Sequence, residues 1–176
     1  MSTIVIYKTK YGSTKQYAEW IAEELGCSAV DAKNVKADDL LSYDTIVYGG
    51  GLYAEVLNGV HLITRNIEKL KDKKIIIYTT GITPSDVRAY YDGEVIEKNF
   101  KNGVPENIKI FNFLGRMMQS ELTPVHRAAL VSLKKIMSAK KNPSDMVKLL
   151  IELCDMDGDF SDRKYIKELV EYAKEN

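Results

Sequence analysis

Three hydroxyl side chains and one glycine stand together directly behind the first apolar run of the chain. Ile4-Val5-Ile6-Tyr7 is followed by Lys8-Thr9-Lys10-Tyr11-Gly12-Ser13-Thr14-Lys15, and a helical pattern takes over from there. A buried strand, a hydroxyl-rich loop and a helix N-terminus together form a cradle for a phosphate group. The unpaired N–H groups of a first helical turn and the positive end of the macrodipole meet such an anion. Gly12 lets the backbone turn tightly and approach the ligand. Thr9, Ser13 and Thr14 can donate from their hydroxyls, and Lys10 and Lys15 add charge. The macrodipole contributes roughly 0.3–2 kcal/mol, so N–H hydrogen bonds must supply most of the affinity.

Residue types separate the phosphate-binding classes that use such a junction. A Walker-type loop requires Gly-x-x-x-x-Gly-Lys-Ser/Thr, and this loop has a single glycine. The dinucleotide fingerprint Gly-x-Gly-x-x-Gly is missing as well. The loop has no thiol for a cysteine-based phosphatase. A receiver domain would place acidic residues after the first strand, where this chain has Lys8 and Lys10. The plain structural alternative is a strand-to-helix turn whose hydroxyls only cap the helix.

The elements that position the loop alternate between strand and helix patterns. Ala18, Ile21, Ala22 and Leu25 make one helical face, stopped by Gly26. Ser28-Ala29-Val30 reads as a weak second strand. Asp38 to Leu41 reads as a short helix or turn. Thr45-Ile46-Val47-Tyr48 is a strand ending in Gly49-Gly50-Gly51. Val60, Ile63, Ile67 and Leu70 predict a second long helix. Lys74 to Tyr78 is the next strand, with Thr83 as N-cap and Pro84 as first residue of the helix behind it. Ile108 to Leu114 is a fifth strand. Ser161 is predicted to cap a final helix with Ile166, Leu169, Val170 and Ala173 inward. Short apolar strands joined by helices predict an α/β fold with a doubly wound, five-stranded parallel sheet in the order 2-1-3-4-5.

The length of 176 residues suggests a single domain, 1–176, with a helical insertion at about 115–159 before the last helix. In that insertion Ala129, Leu133, Ile136 and Met137 form an apolar stripe bordered by Arg127, Lys134, Lys135, Lys140 and Lys141. Asn142-Pro143-Ser144-Asp145 starts another helix that runs through Leu153. The basic face allows peripheral membrane contact. The favoured reading is an amphipathic helix that covers the sheet edge. No apolar run approaches the roughly 20 residues that span a bilayer. Met1-Ser2-Thr3 leads directly into a strand rather than a secretory leader. Cys27 and Cys154, far apart, point to a reducing, cytoplasmic setting without a disulfide framework or zinc site. A formal net charge of zero gives no bulk attraction to nucleic acid. Asp155-Met156-Asp157-Gly158-Asp159 lacks calcium-loop spacing and reads as a solvated turn. No metal site is expected at His61 or His126.

Thr9-Lys10-Tyr11-Gly12-Ser13-Thr14 resembles the flavodoxin pattern Ser/Thr-x-Thr-Gly-x-Thr, with Tyr11 in a threonine place. The resemblance implies FMN as cofactor, its terminal phosphate in this closed loop. It also implies a flavin ring between the loops after the third and fourth strands. Those loops hold Gly50, Gly51, Leu52, Tyr53 and Ala54 on one side and Thr80, Gly81 and Ile82 on the other. Gly50 and Gly51 are expected to take positive φ, and a flexible peptide there to offer its C=O to the N5–H of reduced flavin. The loop Thr80-Gly81-Ile82-Thr83 lacks the aromatic usual in electron carriers, so one flavin face is expected to be open. The cradle, Gly115-Arg116 and the turn from Asp155 to Ile166 are similar to a subgroup related to the menaquinone-dependent protoporphyrinogen dehydrogenases. That resemblance implies an oxidoreductase passing electrons between flavin and a quinone or small organic substrate. The alternatives are a non-enzymatic carrier for redox protein partners and a flavin-free binding module.

Overall fold

The computed structural model describes residues 2–175. The strands are β1 (Thr3–Lys8), β2 (Ala29–Asp31), β3 (Thr45–Tyr53), β4 (Val56–Leu57), β5 (Lys74–Gly81), β6 (Ile108–Leu114), β7 (Arg116–Met117) and β8 (Gly158–Asp159). The α-helices are α1 (Ser13–Leu25), α2 (His61–Thr64), α3 (Ile96–Asn99), α4 (Pro124–Ser138), α5 (Asp145–Leu153) and α6 (Lys167–Lys174). Five strands run parallel in the order β2-β1-β3-β5-β6, which is the doubly wound order predicted, and β4 folds back on β3. Val5 pairs with Val47 and Val47 with Ile76, so residues of one parity share a face across the sheet.

The two faces build two cores. Ile4, Ile6, Ile46, Tyr48, Ile75 and Ile77 pack with Leu40, Ile63, Leu70 and Phe100. Val5, Val47, Ile76, Tyr78 and Phe113 pack with Tyr17 and Ile21 of α1 and with Ile166, Leu169 and Val170 at the last helix. Trp20 meets Tyr17 edge-on, 5.3 Å between centroids, and so is covered at the rim of this second core. At its centre the Tyr78 hydroxyl donates to the carbonyl of Thr14 at 2.8 Å. The ring lies where a side chain on Gly49 would stand.

Four local expectations need correction. The helix expected from Val60 to Leu70 is broken into α2 and a 3₁₀ turn at Ile67–Leu70. The Asn66 amide donates to the Leu62 carbonyl at 3.0 Å, the group its own N–H would need to continue the helix. Thr83 caps nothing: Pro84 to Val87 forms a turn, and a π-helical segment, Ala89–Val95, begins later. The Thr83 carbonyl instead accepts from the Tyr91 hydroxyl at 2.7 Å. The last helical segment opens as a 3₁₀ turn capped by Asp162, not Ser161, with the expected inward residues buried. Finally, only Met137 of the predicted α4 stripe is buried, while Leu133 and Ile136 are exposed with Val125 and Val131.

The insertion leaves β6 and returns through the antiparallel pair β7–β8, Arg116 opposite Asp159 and Met117 opposite Gly158. Its acidic turn is spent on internal contacts. Asp157 accepts from the Gln119 N–H at 2.8 Å, and Asp155 pairs with Lys134 at 2.5 Å. Two helices then fold back toward the loop after β1. The Tyr11 hydroxyl lies 2.7 Å from His126 Nδ1, and Lys10 Nζ lies 3.3 Å from Nε2. An ammonium has only donors, so Nε2 accepts from Lys10 and Nδ1–H donates to Tyr11. Burial and the Lys10 charge hold the His126 pKa below its ordinary 6.5.

Two expectations follow from this packing. Gly49→Ala forces Tyr78 aside and should cost about 1–3 kcal/mol by overpacking, seen as a lower urea midpoint at unchanged m value. Protonated His126 would face Lys10 as a second cation. The native state therefore binds fewer protons than the unfolded chain, so this contact's contribution to docking is full above pH 6.5 and fades as pH falls through the lowered His126 value. Limited proteolysis of α4 should accelerate on acidification, and His126→Phe should remove that pH dependence. Unchanged digestion across this range would refute a pH-dependent contribution from His126.

Candidate functional site

The loop after β1 closes on itself where Thr9 Oγ1 accepts from the Gly12 N–H at 3.0 Å. Gly12 adopts φ 98°, a value that side chains disfavour, and no side chain caps α1 there. The first-turn N–H groups are thus left for an outside acceptor. Ser13 and Thr14 are buried. The hydroxyls of Thr14 and Thr80 are 2.7 Å apart, which ties the start of α1 to the end of β5. The loop lysines leave the cradle: Lys10 turns to His126, and Lys15 pairs with Glu19 at 3.4 Å. The cation beside the cradle is Arg116, whose Nη1 is 3.8 Å from where a Gly12 Cβ would sit.

The second loop differs from expectation. Gly49, Gly50 and Gly51 lie inside β3, and neither Gly50 nor Gly51 takes positive φ. Their lack of a side chain serves close packing, since a Cβ on Gly50 would meet the Asn58 carbonyl oxygen at 2.8 Å. Positive φ falls instead on Ala54 (48°) and Glu55 (62°), the two turn residues between β3 and β4. That pair of values suits the right-handed twist of a two-residue hairpin but strains side-chain-bearing residues. Helix α3 holds the strained turn. Lys98 Nζ donates to the Ala54 carbonyl at 3.1 Å and pairs with the Glu55 carboxylate. The Asn99 amide donates to the Glu55 carbonyl at 2.7 Å and accepts from the Leu57 N–H at 2.8 Å.

The third loop is drawn in from the other side. Gly81 offers its carbonyl to the Gly115 N–H at 2.7 Å, bringing the start of the insertion against it. A cavity of about 540 Å³ opens between the three loops. Thr9, Tyr11, Ser13, Thr14, Gly51, Leu52, Tyr53, Ala54, Thr80, Gly81 and Ile82 all line it. Lys10, Gly12 and Gly50 do not.

The opposite wall comes from the insertion. Met117, Leu122, Ala129, Leu130, Leu133, Leu150, Leu153 and Cys154 face the same space, as do Arg116 and His126. Apolar helix surface of the insertion therefore lines the same chamber as the aromatic-poor third loop. Sequence periodicity marks Ala129 and Leu133 as apolar, but nothing local says that they face a cavity. Tyr90, Leu150 and Cys154 likewise had no signal beyond ordinary core periodicity. Desolvation raises the pKa values of Tyr53 and Tyr90 to about 12, and burial pushes the Cys154 thiol up. These groups stay protonated near neutral pH. The chamber thus pairs a polar, hydroxyl-lined end with an apolar remainder, which suits a planar molecule bearing a phosphate. Among the described residues no cluster of three or more His, Cys, Asp or Glu could hold a metal ion.

No curated protein matches the sequence. Among solved structures, the chain is similar to a flavodoxin, WrbA-like protein from Agrobacterium tumefaciens, with 20% identity and TM-score 0.39 over 48% of this chain and 62% of that one. It thus spans less than two thirds of that protein. It is also similar to oxidised Flavodoxin 2 from Bacillus cereus, with 17% identity and TM-score 0.44 over 64% and 84% of the two chains. A flavodoxin from the domain Archaea shares 13% identity and TM-score 0.43 over 88% and 97%. The flavodoxin domain family itself matches residues 4–146, most of the sheet together with α4. The chain therefore belongs to the flavodoxin domain family, whose cofactor is FMN.

Proposed function

We propose that the chamber holds FMN, with the phosphate in the cradle from Thr9 to Thr14 and the ring between the β3–β4 hairpin and the third loop. The protein is then an oxidoreductase that exchanges electrons between flavin and a quinone or small organic substrate, like the subgroup related to the menaquinone-dependent protoporphyrinogen dehydrogenases. The residues fit the cofactor. An uncapped helix start at Gly12 and a buried Arg116 Nε without a partner both await an acceptor. A volume of about 540 Å³ lies within the range of cofactor pockets.

The observation that carries the enzyme reading is the apolar wall of the insertion. A carrier for protein partners has no use for a chamber beside its flavin, whereas a substrate needs one. Bound flavin supplies the redox chemistry, and the protein contributes binding, orientation and electrostatics. Thr9 and Gly12 set the loop, Thr14 and Thr80 lock it to β5, and α3 fixes the hairpin. Leu130 and Leu153 give the substrate side apolar lining. The exposed Val125, Val131 and Ile136 on α4, flanked by basic residues, support peripheral contact with a membrane surface.

The purified protein should be yellow, release FMN, and take it up again after removal. Gly12→Asp should abolish uptake, because it strains the backbone and sets a carboxylate against the phosphate. A colourless protein that cannot be reconstituted with FMN would overturn the assignment. Steady-state turnover of NADH, NADPH or quinones then supports the enzyme reading. One-electron exchange with redox proteins and no turnover supports the carrier.

A further inference from the structure

The cradle's own sequence offers three lysines, and none of them faces the anion position. Lys8 packs its stem toward Gly59, Lys10 is held by His126, and Lys15 by Glu19. A phosphate monoester would then meet N–H groups and hydroxyls only. The insertion supplies the missing charge from 104 residues further along the chain (116 − 12).

We propose that Arg116 is a phosphate-binding side chain of this site, resting on the FMN reading above. Three observations converge on it. The backbone at Gly115 is pressed onto the cradle so closely that a Cβ would lie 3.0 Å from Ser13 Oγ. Arg116 Nη1 stands 3.8 Å from the Cβ position that Gly12 leaves free. Its Nε is buried and has no partner, while Nη2 donates to Glu121 Oε1 at 2.6 Å. A guanidinium has five donors, and Glu121 occupies one. Glu121 acts as a positioning residue that holds the fork in place. The unused donors sit beside the uncapped start of α1, where they add charge-assisted hydrogen bonds to the helix-terminus contribution. Because Arg116 opens the insertion, phosphate binding also anchors the base of the substrate wall. Arg116 therefore makes the site selective for a phosphorylated flavin over the same ring without phosphate.

Riboflavin isolates this contribution, since it carries the ring and ribityl chain but no phosphate. Dissociation constants for FMN and riboflavin are measured by flavin fluorescence quenching on the apoprotein of the full chain and of Arg116→Gln and Arg116→Lys. Arg116→Gln should weaken FMN by at least about tenfold, the loss of a charge-assisted hydrogen bond, and leave riboflavin within about twofold. Arg116→Lys, which keeps the charge but not the fork, should fall between. Retention of the FMN preference in Arg116→Gln would overturn the assignment. So would an equal loss of both flavins, which marks a packing role. If the unaltered protein binds neither flavin, the FMN reading itself fails and takes this inference with it.

Discussion

Tyr78 stands in the middle of β5 with its ring laid over the bare backbone of Gly49 and its hydroxyl on the carbonyl of Thr14 at 2.8 Å. A fully buried phenol must find an acceptor, and the only place this one finds it is the first turn of α1. The start of the helix is thereby set at a definite height above the sheet. Thr14 adds its hydroxyl bond to Thr80, so β5 grips the first turn of α1 at two points through a single residue. Tyr17, one turn further on, donates to the Leu114 carbonyl at 2.7 Å and accepts from the Asp162 N–H at 3.1 Å. The end of β6 and the approach to α6 are tied to the same helix. A ligand at the N-terminus of α1 is thus held by the rigid part of the molecule, which is what a precise site requires.

The opposite edge of the chamber is built on strain rather than rigidity. Ala54 and Glu55 occupy left-handed backbone without the freedom of glycine, at a cost of order 1–3 kcal/mol each. Four hydrogen bonds or ion contacts from Lys98 and Asn99 keep the turn in place.

The insertion turns a cleft into a chamber. It departs and returns at nearly the same point through β7 and β8, so it adds a wall without disturbing the sheet. Its near end lies on the cradle through Arg116 and Gly115, and its helix α4 meets Tyr11 through His126. One element therefore contacts both the proposed anion position and the apolar end of the chamber.

Much of this was legible in the sequence because it depends on neighbours along the chain. Apolar runs such as Ile75-Ile76-Ile77 can only be interior strands, the hydroxyls and glycine after Tyr7 mark a helix start open to an anion, and the alternation of elements leaves few topologies. The order of the sheet and the existence of the inserted helices follow from such local signals, whereas the chamber-lining residues after β3 and β5 were named through the family resemblance. Partners separated by long stretches of chain were decided by tertiary structure alone. Lys10 reads as a phosphate contact until His126, 116 residues away, claims it. Glycines 50 and 51 read as a flexible loop until the packing of Leu57 and Asn58 on the first and of Tyr53 on the second shows why they are bare. Arg116 reads only as part of a family-like Gly115-Arg116 pair after a strand until the fold sets it against Gly12. A side chain's local sequence determines the element it rides on, but its charge and hydrogen bonds go to whichever distant group the packing brings within about 3 Å, and no local pattern encodes that distance.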